Sequence, residues 1–148
     1  FYKWLETEKI VCEPRFQLTE YITLPDSTSS MSKSLYQTEG KMDGLEYKMA
    51  LAMTNMDNIR WWHRNPERNK FSFCLNGVRT TSGKILLIET KGDQLENTES
   101  REKIRLGRAW QDAAGKQAYR YYMVFQNKDL QMEGAYRFDE FLTLLREL

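Results

Sequence analysis

The stretch Ile85-Leu86-Leu87-Ile88-Glu89-Thr90-Lys91-Gly92 decides how the rest of this chain reads. Its first four residues are apolar, and side chains in a strand alternate between faces. Leu87, Glu89 and Lys91 therefore share one face, and Leu86, Ile88 and Thr90 share the other. A strand this apolar belongs in a core, yet it ends by delivering an acid and a base to one side, two residues apart. That pairing suits metal-dependent phosphodiester hydrolysis, in which a carboxylate holds a divalent cation while an ammonium orients the attacking water and steadies the charge developing on the phosphate. An isolated Glu-x-Lys is short and common, and by itself it reads as an ion pair at a solvated strand end. The surrounding chain has to decide between the two.

At 148 residues, with 41% hydrophobic and 29% charged, the chain has the make-up of one soluble domain, too small to hold both a motor and a nuclease. Formal net charge is +1, so any surface for nucleic acid has to be a local basic patch. No apolar run reaches the length of a membrane span, and the opening Phe1-Tyr2-Lys3-Trp4-Leu5 lacks the form of a secretory signal. Without an initiator Met, the sequence reads as a piece of a longer polypeptide. Cys12 and Cys74, far apart and with no partner at zinc spacing, read as reduced structural thiols of a cytoplasmic protein. His63 is the single histidine, so neither a zinc centre nor a His-based triad is expected. The Gly-Lys pairs Gly40-Lys41, Gly83-Lys84 and Gly115-Lys116 lack the glycine spacing and following Ser/Thr of a phosphate-binding loop. A dinucleotide fingerprint and a Gly-x-Ser-x-Gly elbow are also missing, which argues against ATP chemistry and serine hydrolysis within this chain.

Outward from the quoted strand, Ser82-Gly83 marks a break, and Asn76-Gly77 reads as a hairpin turn after a strand over 70–75. Asn65-Pro66-Glu67-Arg68-Asn69 is a turn that follows another strand over 58–64. Before it, Met42, Leu45, Met49, Ala52, Met53 and Met56 recur at helical spacing and predict a helix from Lys41. The segment up to Leu24 has room for one or two strands, and Pro25-Asp26-Ser27-Thr28-Ser29-Ser30 is a loop, compositionally the plainest linker in the chain. Residues 1–30 are therefore read as an extension from a preceding domain, and 31–148 as the folded domain. On the other side, 97–102 opens a helix with capping residues ahead of early acids. Leu106, Ala109, Trp110 and Ala113 are its expected core stripe, and Gly115 its end. An aromatic strand over 117–125 and an amphipathic helix over 138–148 follow. The order helix, three strands, helix, strand predicts an α/β fold with a mixed sheet flanked by helices.

Glu46 falls on the stripe of the first helix, three before Met49 and seven before Met53. A core-directed carboxylate needs a partner, a hydrogen bond or a metal. Beside Glu89 and Lys91 it predicts a shared metal site; alone it equally suits a side chain at the stripe's edge that reaches solvent. Arg101, Arg105 and Arg108 form a basic stripe on the second helix. Such a stripe suits phosphates, although a solvated face balanced by Glu102 and Asp112 is its commoner meaning. Lys103 lies on a different side of that helix and is placed to point toward the Glu89 strand end. Trp61, Trp62, Tyr119, Tyr121 and Tyr122 read as core or sheet-surface aromatics, with base stacking the weaker alternative. His63, between Arg60 and Arg64, reads as structural.

Ser34-Leu35-Tyr36, Gly44-Leu45-Glu46, Arg60-Trp61-Trp62-His63-Arg64-Asn65 and Leu87-Ile88-Glu89-Thr90-Lys91-Gly92, in that order, carry a resemblance. From about residue 30 onward the chain resembles the C-terminal endonuclease domain of the restriction subunit of type III restriction-modification enzymes, a member of the PD-(D/E)xK nuclease superfamily. Lys103, Trp110, the strand from Tyr119 to Phe125 and Phe138-Asp139-Glu140-Phe141-Leu142 are similar to that domain as well. The resemblance implies a restriction-endonuclease-like core that cleaves double-stranded DNA with Mg2+. In it Glu46 is the helix carboxylate, Glu89 the metal-binding acid and Lys91 the catalytic lysine, with Glu46 and Glu89 as metal ligands. It also implies an attached ATP-driven translocase, a modification (methyltransferase) subunit as partner and no membrane. One part of the pattern departs. The family places Pro-Asp on the strand before Glu-x-Lys; alignment on Val78 puts Leu75 at that Asp and Cys74 at that Pro. Leucine cannot bind a metal. Either the central ligand is lost, or residues around Asn76-Gly77-Val78 are missing from the sequence; Asp57, the nearest other acid, is a poor geometric substitute. The alternatives to an active nuclease are a catalytically inactive nuclease fold kept for DNA binding or subunit contacts, and a different metal-dependent hydrolase sharing the Glu-x-Lys device.

Overall fold

The computed structural model describes residues 27–65, 76–95 and 98–148. The chain runs β1 (Ser27–Ser29), β2 (Glu39–Gly40), α1 (Gly44–Asn55), β3 (Ile59–Arg64), β4 (Asn76–Thr80) and β5 (Ile85–Lys91). After a 3-10 turn (Asp93–Leu95) come α2 (Thr98–Ala114), β6 (Tyr119–Phe125), β7 (Ala135–Arg137) and α3 (Phe138–Glu147). Strands β3 to β7 lie side by side in chain order as one sheet, and β1 pairs with β2 apart from it. The first two pairings of the large sheet are antiparallel, β3 with β4 and β4 with β5. The next two, β5 with β6 and β6 with β7, are parallel. A parallel pair needs a long crossover, and the 17-residue α2 supplies it between β5 and β6. The protein is thus an α/β domain built on a mixed five-stranded sheet flanked by helices, with the helix, three-strand, helix, strand order that the periodicities predict.

Alternation along β5 divides the core in two. Leu86 and Ile88 face a cluster that holds Met49 and Met53 of α1, Trp62 of β3 and Phe141 and Leu145 of α3. Leu87 faces the other way, against Ile104 of α2 and Tyr121, Met123 and Phe125 of β6. Each cluster is closed by helices laid on one face of the sheet.

Several elements differ in detail from the sequence expectation, each for a local reason. Helix α1 starts at Gly44 instead of Lys41, because Asp43 caps it: its carboxylate accepts from the Glu46 N–H while the Glu46 side chain accepts from the Asp43 N–H. Ala50 is buried on that helix and Ala52 only half-buried. Asn76-Gly77 is not a turn; both residues lie inside β4, paired with Arg64 and His63 on one side and with Ile88 and Leu87 on the other. The turn sits at Thr81-Ser82-Gly83, where Gly83 takes φ +93 and donates to the Thr80 carbonyl. Glycine at 77 serves close approach instead, since a Cβ there would lie 2.6 Å from His63 Nε2. Helix α2 buries Ser100, Ile104, Gly107 and Gln111; of the expected stripe, Trp110 packs half-buried against the second cluster and Leu106 is half-buried, while Ala109 and Ala113 are exposed. Gly107 is the reason: it brings the helix backbone onto the Tyr121 ring, 2.2 Å from where a Cβ would stand. Gln111 Oε1 then accepts the Tyr121 backbone N–H at 3.2 Å. Ser27–Ser29, read as linker, forms β1. The strands before Leu24, the strand over 70–75, Cys12, Cys74 and Leu75 lie outside the described residues.

Candidate functional site

The charged end of β5 is covered by α2 and β6. In the parallel register Leu87 pairs with Tyr121 and Glu89 with Met123, so the long Tyr121 side chain reaches past its own neighbour toward Glu89. Its hydroxyl donates to Glu89 Oε2 at 2.9 Å. Burial, reinforced by the Glu89 charge and by the bond itself, pushes the Tyr121 phenol far above its ordinary range, so it stays a donor. Glu89, only 7% exposed, uses its other oxygen for two ammonium groups. Lys91 Nζ lies 3.0 Å from Oε1 and Lys103 Nζ lies 3.7 Å from it. Lys103, one turn into α2, also meets Glu99 Oε1 at 3.0 Å. The Glu99 bond, partly offset by burial and supported by the charges of Glu89 and Glu99, holds the Lys103 ammonium above its ordinary range.

The structure therefore brings together Glu89, Lys91 and Lys103, and adds two residues the sequence reading passed over. Tyr121 was recognisable as a strand aromatic but not as the donor to Glu89, because the β5–β6 register is not written in either strand's pattern. Glu99 read only as a helix-opening acid. Glu46 is placed elsewhere. Its Oε2 accepts from Arg64 Nη2 at 3.0 Å, and it sits in the capping box of α1, the helix that covers the Leu86 and Ile88 face of the sheet. Glu89 points to the opposite face. Of the basic stripe, Arg108 pairs with Glu133, Arg105 is exposed and Arg101 is half-buried.

Two other polar features lie near β3. Glu39 is 2% exposed and accepts from Ser34 Oγ at 2.5 Å; burial raises its carboxyl above the ordinary range, against the pull of Ser34 and Arg64. His63 lies over Gly77 with Tyr36 edge-on to it, and burial pushes its imidazole below the ordinary range. Its Nδ1 is buried without a partner among the described residues.

Chemically, the Glu89 corner holds two cations on one fixed anion, with the Lys103 ammonium 41% exposed, an arrangement suited to meeting a phosphate. A groove of about 690 Å3, lined by Leu51, Met56, Phe138 and Leu142, lies between α1 and α3 on the other face and takes no part in it. The donor set does not by itself fit magnesium. That ion takes six oxygens, commonly one or two carboxylates with waters and substrate phosphate. Here one buried carboxylate has both oxygens engaged, by a hydroxyl and by two ammonium groups. Among the described residues no three His, Cys, Asp or Glu side chains cluster closely enough to hold a metal.

Comparison with protein-family models, with curated proteins and with solved structures finds no match to this chain. No helix among the described residues is long and apolar enough to cross a membrane.

Proposed function

We propose that this chain is a nuclease-fold domain of the PD-(D/E)xK kind, part of a type III restriction enzyme, and that it meets the phosphodiester backbone of double-stranded DNA at the Glu89–Lys91–Lys103 corner. The observation that carries this reading is the corner itself: the acid and base of Ile-Glu-Thr-Lys-Gly share a face and recruit a second lysine from the following helix. The element order agrees with the superfamily core, and the Trp-Trp-His-Arg-Asn motif falls on β3 and the residue after it. The partners that follow are duplex DNA, a modification subunit and an attached ATP-driven translocase, all cytoplasmic.

Two outcomes at the DNA backbone are open to such a domain: hydrolysis with Mg2+, or binding without cleavage. A specific observation favours the second. Glu89 is saturated by Tyr121, Lys91 and Lys103, Glu46 is committed to Arg64 on the other face, and Leu75 stands where the family has its central acid. We propose that the domain engages DNA phosphates at this corner, where the described residues do not by themselves complete a metal site. Incubation of the chain, alone and in its assembled enzyme, with supercoiled plasmid and Mg2+ tests this. Binding without nicking is expected; nicking that Lys91→Ala abolishes would restore the endonuclease reading, and a loss of rate of about 10²–10⁴-fold is what removal of such a lysine brings.

A further inference from the structure

The two lysines of the corner face two carboxylates of very different standing. Glu89 is the fixed one, its side chain 9% exposed and bonded to a buried tyrosine hydroxyl. Glu99 is the loose one, its side chain 69% exposed, on the first turn of α2 and held at 3.0 Å by Lys103, itself 41% exposed. Exposed pairs spaced i,i+4 on a helix are among the weakest electrostatic contacts a protein makes, because water and salt compete for both partners. Counting charges over these four side chains, the corner is neutral with Glu99 in place and carries one positive charge when Glu99 swings away. Glu89 cannot make the same exchange without stranding the Tyr121 hydroxyl in the core.

We propose that Glu99 is a displaceable anion held by Lys103 at the edge of the corner, and that a nucleic-acid phosphate binds there by taking its place. The inference rests on the DNA-binding reading above and adds a regulatory element to it. Both lysines act on Glu99: the Lys103 bond and charge, and then the Lys91 charge, hold its carboxyl below the ordinary range. The position that an incoming phosphate needs is thus one where negative charge is already welcome. The arrangement makes DNA binding weak until a backbone of high charge density arrives, and it discourages capture of small anions.

The test is a titration of the full chain with a short fluorescent duplex at about 0.1 M salt. Wild type is compared with Glu99→Gln, with Asp112→Asn as a matched charge change at an exposed site on the same helix, and with Lys91→Ala, Lys103→Ala and Glu99→Gln/Lys103→Ala. Glu99→Gln should tighten binding about three- to tenfold and steepen the salt dependence by roughly one released counterion. Asp112→Asn should change affinity much less, and the gain from Glu99→Gln should vanish in the Lys103→Ala background. Equal effects of Glu99→Gln and Asp112→Asn, with Lys103→Ala still weakening binding, would overturn the inference and leave the DNA reading standing. If Lys91→Ala and Lys103→Ala bind as wild type does, or if no variant binds the duplex, the DNA reading falls and the inference with it.

Discussion

At residue scale, the hydroxyl of Tyr121 matters because it satisfies a carboxylate that is out of water. Hydrogen bonds to charged groups contribute about 1.5–3 kcal/mol, so Tyr121→Phe should lower unfolding stability by roughly that amount in a urea titration. A change under about 0.5 kcal/mol would mean that the bond does little for Glu89. His63 and Glu39 give stability a pH dependence of opposite sign. The unfolded chain protonates His63 as pH falls through 6.5, while the buried ring resists until its depressed value. Stability is therefore lost over that interval as pH falls, and His63→Asn should flatten the fall. Glu39 is raised above 4.5 on folding, so its contribution grows as pH falls from the raised value toward 4.5. Glu39→Gln keeps an acceptor for Ser34 and sheds a buried charge. It should raise the melting temperature at pH 7–8, by a margin that shrinks as pH approaches 4.5. Melting scans across pH 4.5–8 separate the two, and a constant margin would exclude Glu39 as the source.

At the scale of elements, the contact between α2 and β6 turns on one missing methyl. Alanine is the better helix former by about 1 kcal/mol, yet a Cβ at 107 would stand 2.2–2.3 Å from Tyr121 Cδ1 and Cγ, atoms at the root of the ring that cannot swing aside. Overpacking typically costs about 1–3 kcal/mol. Gly107→Ala should therefore destabilise the protein by about 1–2 kcal/mol on balance and weaken the Tyr121–Glu89 bond; a stabilising result would show that the helix can rise off the sheet freely. The same contact explains what the sequence could and could not tell. Period-two alternation in 85–91 and the methionine stripe of α1 were legible because each element carries its own pattern and the core only had to accept it. The inward face of α2 was not, because Ser100, Gly107 and Gln111 are selected by closeness and hydrogen bonding to a strand that comes later in the chain. Asn76-Gly77 misled for a related reason. Glycine there answers the His63 ring on a neighbouring strand, not the local turn its dipeptide signals. The lysine of the next helix was placed correctly toward Glu89, whereas the grouping with Glu46 was not, since facing the core does not say which of two cores.

At the scale of the molecule, formal charge is +1 and the cations of the corner are largely neutralised at home. Association with duplex DNA should be weak and indifferent to sequence, with a dissociation constant of about 10⁻⁴–10⁻⁶ M at physiological salt. Nanomolar, sequence-dependent binding by the chain alone would refute this. The central position of β5 has a further consequence. It is hydrogen-bonded on both edges and lies between the two core clusters, while β3 and β7 stand at the ends of the sheet. Its amide protons at 86–90 should be the slowest to exchange with deuterated water, released only when the whole domain opens. A solvent-isotope clock is thereby built into the strand that carries Glu89. Any substitution in the corner can be sorted by it, since one that weakens the fold quickens that clock by about tenfold for each 1.4 kcal/mol lost, and one that touches binding alone leaves it running at the same rate.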